Sequence, residues 1–188
     1  MKLIGVVVVA LLATACGSAS SSAQDPSAAD KILAPYDLDG LDARALVEKL
    51  DALPVAERPD DLTAGVRPET LMLTNDAGAE ASLPMPKDEF YVSLAPYVEK
   101  THECYYHSLT TCLGELSATD VDVVVTDVAT SQTILEETIR THDNGFLGLW
   151  LPRDIDASIT VQYDGRSSES TISTGIDDPT CITTLQLT

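Results

Sequence analysis

The chain reads as a mainly β protein: an antiparallel β-sandwich or barrel-like C-terminal domain preceded by a small helical N-terminal segment, α+β overall. Three observations predict this. From residue 69 onward, short runs rich in β-branched residues recur between turn signals at roughly 8–12-residue spacing, the texture of a sandwich or barrel. Two of those turns, Asn144-Gly145 and Asp164-Gly165, are strong short-range reversal signals. Before residue 69, one segment instead carries apolar residues at helical spacing.

The N-terminus is read first as an address. Met1-Lys2 supplies one positive charge, and Leu3 to Leu12 is an apolar run broken only by Gly5. It is too short to cross a bilayer and reads as a secretory signal over residues 1–15. Ala13-Thr14-Ala15-Cys16, followed by Gly17-Ser18, resembles a bacterial lipobox, although Ala13 stands where Leu is usual. That resemblance implies that Cys16 is acylated and becomes the first mature residue. Residues 16–29 are then the lipidated cysteine and a flexible Ser/Ala tether. The expectation is an exported lipoprotein of the cell envelope, in the periplasm or on the outer face of the cytoplasmic membrane, touching the membrane only through its N-terminal lipid.

Residues 30–68 read as helical. In LDARALVEKLDAL, Leu46, Leu50 and Leu53 share a face, Glu48 and Lys49 lie on the polar side, and Pro54 closes the helix. An echo follows, Arg58-Pro59-Asp60-Asp61-Leu62 and Arg67-Pro68-Glu69-Thr70-Leu71. Two copies do not make a solenoid, and they read as Pro-initiated turns that each dock a leucine.

The β domain is expected over 69–188. Strands are predicted at 70–75, at 90–98 with an interruption at Pro96, at 121–128 and 133–141 as a hairpin, and at 146–152 after Asn144-Gly145. A second hairpin joins 158–163 to 166–173 through Asp164-Gly165, and 181–187 is a last alternating strand. The order of strands and turns over 119–174 resembles transthyretin-like and carboxypeptidase-regulatory-like sandwiches.

Thirty acidic residues against eleven basic ones give a net charge of −19, which excludes nucleic-acid partners and electrostatic docking on anionic lipid. With 44% hydrophobic and only 5% aromatic residues, a packed core of Leu, Val, Ile and Ala is expected.

The chemistry lies in the cysteines. With Cys16 lipidated, Cys104, Cys112 and Cys181 remain, an odd number for an exported chain. One disulfide and a leftover thiol is one reading. Metal ligation is another, because thiolates are soft and favour Cu(I), with Zn²⁺ as competitor. The segment THECYYHSLTTCLGEL places His102, Cys104, His107 and Cys112 within eleven residues. Seven residues separate Cys104 from Cys112, unlike the tight knuckle of a zinc finger. His107 is read as a hydrogen-bonded neighbour of the site or a nitrogen ligand, His102 as a weaker candidate, and His142 as a turn residue. Cys104 or Cys112 could pair on paper with His107 or His142 as a nucleophile, but no C-x-x-C redox motif or protease segment supports it. No enzyme is expected.

THECYYHSLTTCLGEL, together with PVAERPDDL, VRPETLML, FYVSLAPYV, DNGFLGLWLPRDI and DDPTCITTLQL in the same order, resembles the CueP family of exported bacterial copper-binding proteins, from about Leu41 to Leu187. The resemblance implies copper resistance with Cu(I) held by Cys104, Cys112 and Cys181, and copper supply to other envelope proteins. A copper-accepting envelope protein and a second copy of the chain are the protein partners it leaves open. The alternatives from other classes are a metal-free, disulfide-stabilised assembly or adhesion module and a thiol-disulfide exchange protein.

Overall fold

The structure is a computed structural model and describes residues 27–188. The signal segment, Cys16 and the greater part of the tether lie outside the described residues. Ser27 caps helix α1 (Ala28–Leu33): its hydroxyl accepts from the Asp30 N–H while the Asp30 carboxylate accepts from the Ser27 N–H. The helix therefore starts inside the stretch read as tether, on a capping signal that the Ser/Ala composition hides. Helix α2 (Ala43–Asp51) is capped by Asp42 and buries Ala43, Leu46, Val47, Leu50 and Asp51, the stripe that a 3.6-residue period dictates.

The remainder of the segment read as helical contains a strand. β1 (Leu62–Val66) alternates Leu62, Ala64 and Val66 inward, five residues with a glycine among them and too short to announce the period by themselves. It pairs antiparallel with β2 (Thr70–Asn75), and β2 with β3 (Glu80–Pro84). The two helices pack on this sheet around Ile32, Leu33, Leu46, Leu50, Leu71 and Leu73.

The sandwich follows. One sheet has the order β10 (Cys181–Ile182), β4 (Glu89–Leu94), β7 (Leu147–Pro152); the other has β6 (Thr133–Arg140), β5 (Asp120–Asp127), β8 (Asp156–Tyr163), β9 (Arg166–Ser173). Phe90, Val92, Leu94, Leu147, Leu149 and Leu151 of the first face Val121, Val123, Val125, Ala157, Ile159 and Val161 of the second. The fold is mainly β with antiparallel hairpins, as expected, and neither sheet closes into a barrel among the described residues. β4 is buried on both faces: Tyr91, and Ala95 just past its end, belong to the clusters of the helical layer and the cysteines rather than to the sandwich core.

The last strand departs from its expected length. Only Cys181 and Ile182 pair with β4, in parallel, where a strand over 181–187 is predicted. The N–H groups of Ser93, Ala95 and Tyr97 face the last segment and donate in turn to Thr180, Ile182 and Leu185 O, so the irregularity is one extra residue between 182 and 185, which breaks the ladder there.

Candidate metal centre

Backbone pairing delivers the three cysteines. Cys181 opens β10, in register with Ser93 of the central strand. The N–H groups of Thr180 and Cys181 both donate to Tyr105 O, at 3.0 and 3.2 Å, which pins residues 104–106 beside the last strand. On the other side the loop is sewn to β1, Val66 N–H to His107 O at 2.7 Å and Leu109 N–H to Ala64 O at 2.9 Å. Thr180 closes the stitch: its hydroxyl accepts from the His107 N–H and donates to Val66 O.

Cys104 and Cys181 form a disulfide with their Cα atoms 5.7 Å apart, and Cys112 is a free thiol. The Cys112 sulfur lies 3.8 Å from that of Cys104 and accepts from the Ser108 N–H at 3.4 Å. The chain beyond it turns against the Asn144-Gly145 corner. Gly145 holds φ +77°, and a Cβ on Gly114 would come within 2.7 Å of Gly145 O, so both positions need glycine.

His107 is fully buried. Its Nε2 lies 3.3 Å from Asp51 Oδ1, and its Nδ1 faces the Cys181 sulfur at 3.9 Å. Asp51 also accepts from the Tyr91 hydroxyl at 2.5 Å and the Asn144 amide at 3.3 Å, with His142 Nε2 at 3.8 Å. His142 is thus a turn residue, as read, and also a neighbour of the buried carboxylate. Burial pushes the Asp51 carboxyl up, but hydrogen bonds from His107 and Tyr91 outweigh it and hold it below its ordinary range. For His107, burial works against the charged ring, and Asp51 together with Cys112 outweighs that and raises it. Burial likewise opposes the Cys112 thiolate, yet His107, the Ser108 N–H and Arg58 lower its pKa. The three groups shift together because each favours the charged form of its neighbour.

Two overlapping sets bring their ligand atoms within 4.8 Å of one another: His102, Cys104 and Cys112 on the exposed side, and His107, Cys112 and Cys181 on the buried side. The geometry therefore gathers His102, Cys104, His107 and Cys181 around Cys112, while His142 lies against Asp51 and Cys16 lies outside the described residues. Soft sulfur with one imidazole on either side fits a thiophilic ion. An open cavity of about 560 Å³, lined in part by His102, Cys112 and Leu113, leads to it.

Asp51, Arg58, Tyr91 and Asn144 complete the surroundings and were not singled out in the sequence. Asp51 did leave a signal: it falls on the apolar stripe of α2, eight residues after Ala43, where a carboxylate needs a partner. Tyr105 and Tyr106 stack edge to face; Arg67 covers the Tyr106 ring at 4.0 Å, while Tyr105 is exposed and its hydroxyl donates to Asp177 O.

The family model described as periplasmic copper-binding protein CueP matches residues 45–186, a span that holds all of these groups. A solved structure described as "Crystal Structure of S.CueP" is similar with a TM-score of 0.79 and 34% identity, over 86% of this chain and 98% of that chain. No curated protein matches the chain.

Proposed function

The chain belongs to the CueP family of periplasmic copper-binding proteins, as its motif order predicts, and from that premise we propose that it holds one Cu(I) through the thiolates of Cys104, Cys112 and Cys181. The observation that carries the reading is the meeting of the three sulfurs, although Cys181 lies 69 residues beyond Cys112. The Cu(I)-binding form is the reduced one: two electrons and two protons open the Cys104–Cys181 bond and free both sulfurs. His107 keeps its hydrogen on Nε2 for Asp51 and turns Nδ1 to the sulfurs, orienting the ring beside the metal. The role is copper tolerance in the envelope, with supply to a copper-accepting protein through the open side next to Cys112.

Anaerobic titration of Cu(I) against a strong chelator tests this. One ion per chain is expected, held more tightly than Zn²⁺, and Cys104→Ser, Cys112→Ser and Cys181→Ser should each weaken it by orders of magnitude. A serine variant with unchanged affinity removes that sulfur from the site, and Zn²⁺ displacing Cu(I) removes the copper assignment.

The free thiol 3.8 Å from a disulfide sulfur favours thiol-disulfide exchange as a second reading. Exchange with a substrate dithiol by the metal-free chain, abolished in Cys112→Ser, would support it. The anchoring carried by Ala13-Thr14-Ala15-Cys16 has its own test. Cys16→Ser should shift the protein out of the detergent phase, and unchanged partitioning contradicts acylation.

A further inference from the structure

We propose that Arg58 is the counter-charge of the thiolate–copper cluster. This rests on the three-thiolate reading above: three thiolates and one Cu(I) leave two net negative charges, which a half-buried site in a chain of net charge −19 must offset.

Arg58 follows the single helical turn Val55–Glu57 and reaches beneath the Cys104–Cys112 loop, where its Nη1 donates to Cys112 O at 2.9 Å. Its Nε and Nη2 are buried and find no acceptor among the described residues. These two donors form one edge of the guanidinium, the fork that pairs with an anion. A half-buried charge with three of its five N–H donors buried and unpaired is costly, so the edge calls for an anionic partner.

Three acidic groups act on it most strongly: Asp51, Cys112 and Asp143. Asp51 is committed to His107, Tyr91 and Asn144. Asp143 accepts from the Val55 N–H at 2.8 Å and from Ser117 at 3.3 Å. The sulfur cluster is the anion that remains. Arginine keeps its charge in this half-buried setting.

The test compares Cu(I) and Zn²⁺ affinities of the reduced full chain with those of Arg58→Gln, which keeps a donor for the Cys112 carbonyl, and Arg58→Lys, which keeps the charge. Arg140→Gln is the control, since Arg140 is exposed and paired with Asp120. Arg58→Gln should weaken Cu(I) by about tenfold or more, the range seen when groups behind metal ligands are removed. Zn²⁺ with the same thiolates leaves one net negative charge against two, so whatever charge the free thiols carry it should weaken clearly less than Cu(I). Arg58→Lys should stay within about threefold of wild type for both ions, and Arg140→Gln should change neither. Equal losses for the two ions in Arg58→Gln, or a lysine variant as weak as the glutamine one, overturn the proposal in favour of a packing role. Should the glutamine variant not fold, the lysine variant decides, by keeping or losing Cu(I) affinity. A wild-type chain that takes up no Cu(I) overturns the reading beneath the proposal and the proposal with it.

Discussion

Cys112 differs from the other two cysteines in its surroundings: a buried imidazole, a backbone N–H and a guanidinium all favour its thiolate. Its alkylation should therefore inflect below the ordinary thiol value of 9.0, and His107→Gln should move the inflection upward. An inflection in the variant unchanged from wild type would remove the imidazole from this role. Asp51 gives a pH signature of the opposite origin. Its pKa is lowered from 3.8 by partners that outweigh burial, so its stabilisation is present above that value and is lost as pH falls through the lowered folded value. The difference in urea stability between wild type and Asp51→Asn should shrink across that acid range, and shrink again as pH rises through the raised folded value of His107, whose charged ring Asp51 favours. At this scale the cysteines were legible because soft ligands are rare and two of them share one short segment with two histidines. Arg58 was not, because a single charged residue has the same letter whether solvated or buried, and Asp51 showed only as a carboxylate on the apolar stripe of α2. Arg58 and Arg67 did share a sequence echo, and both clamp the cysteine loop while Leu62 and Leu71, the leucines that follow them, are buried.

At the scale of elements, α2 carries Asp51 to the site, and β4 carries Tyr91 to Asp51 and Cys181 to its place. Gly148 in β7 lies directly across from Ser93, and a Cβ there would strike the Tyr91 ring. Gly148→Ala should therefore cost about 1–3 kcal/mol by overpacking, read from denaturant unfolding, and should also disturb the Tyr91–Asp51 bond. Leu50→Ala, in the fully buried face of α2, should cost about 2–5 kcal/mol. A loss under 0.5 kcal/mol for either would contradict the packing described. The hairpins were legible from turn chemistry and alternation. β1 and β3 were not, because five-residue strands carry too little period, and β4 showed no clean alternation because both its faces are covered.

Taken whole, the molecule is a helix-covered three-stranded sheet docked on a β-sandwich, and the sulfurs lie where the two meet. The cysteine loop is bonded to β1 on one side and to residues 180–181 on the other, so both layers build the site. The net charge of −19 draws cations everywhere, but weakly. Raising salt to 1 M shortens the screening length to about 3 Å, which should strip surface-bound ions and leave the thiolate-held ion in place. Salt-sensitive Cu(I) binding would instead point to the carboxylates. The sandwich and its helical prefix could be read from pattern, whereas the seam could not, because it depends on contacts between segments as distant as Asp51 and Asn144. The most direct test of the central claim is copper-edge X-ray absorption on the reduced chain loaded with one Cu(I). The account predicts three sulfur neighbours, falling to two when any one of Cys104, Cys112 or Cys181 is replaced by serine. A first shell of nitrogen and oxygen, or a sulfur count indifferent to Cys181, would contradict it.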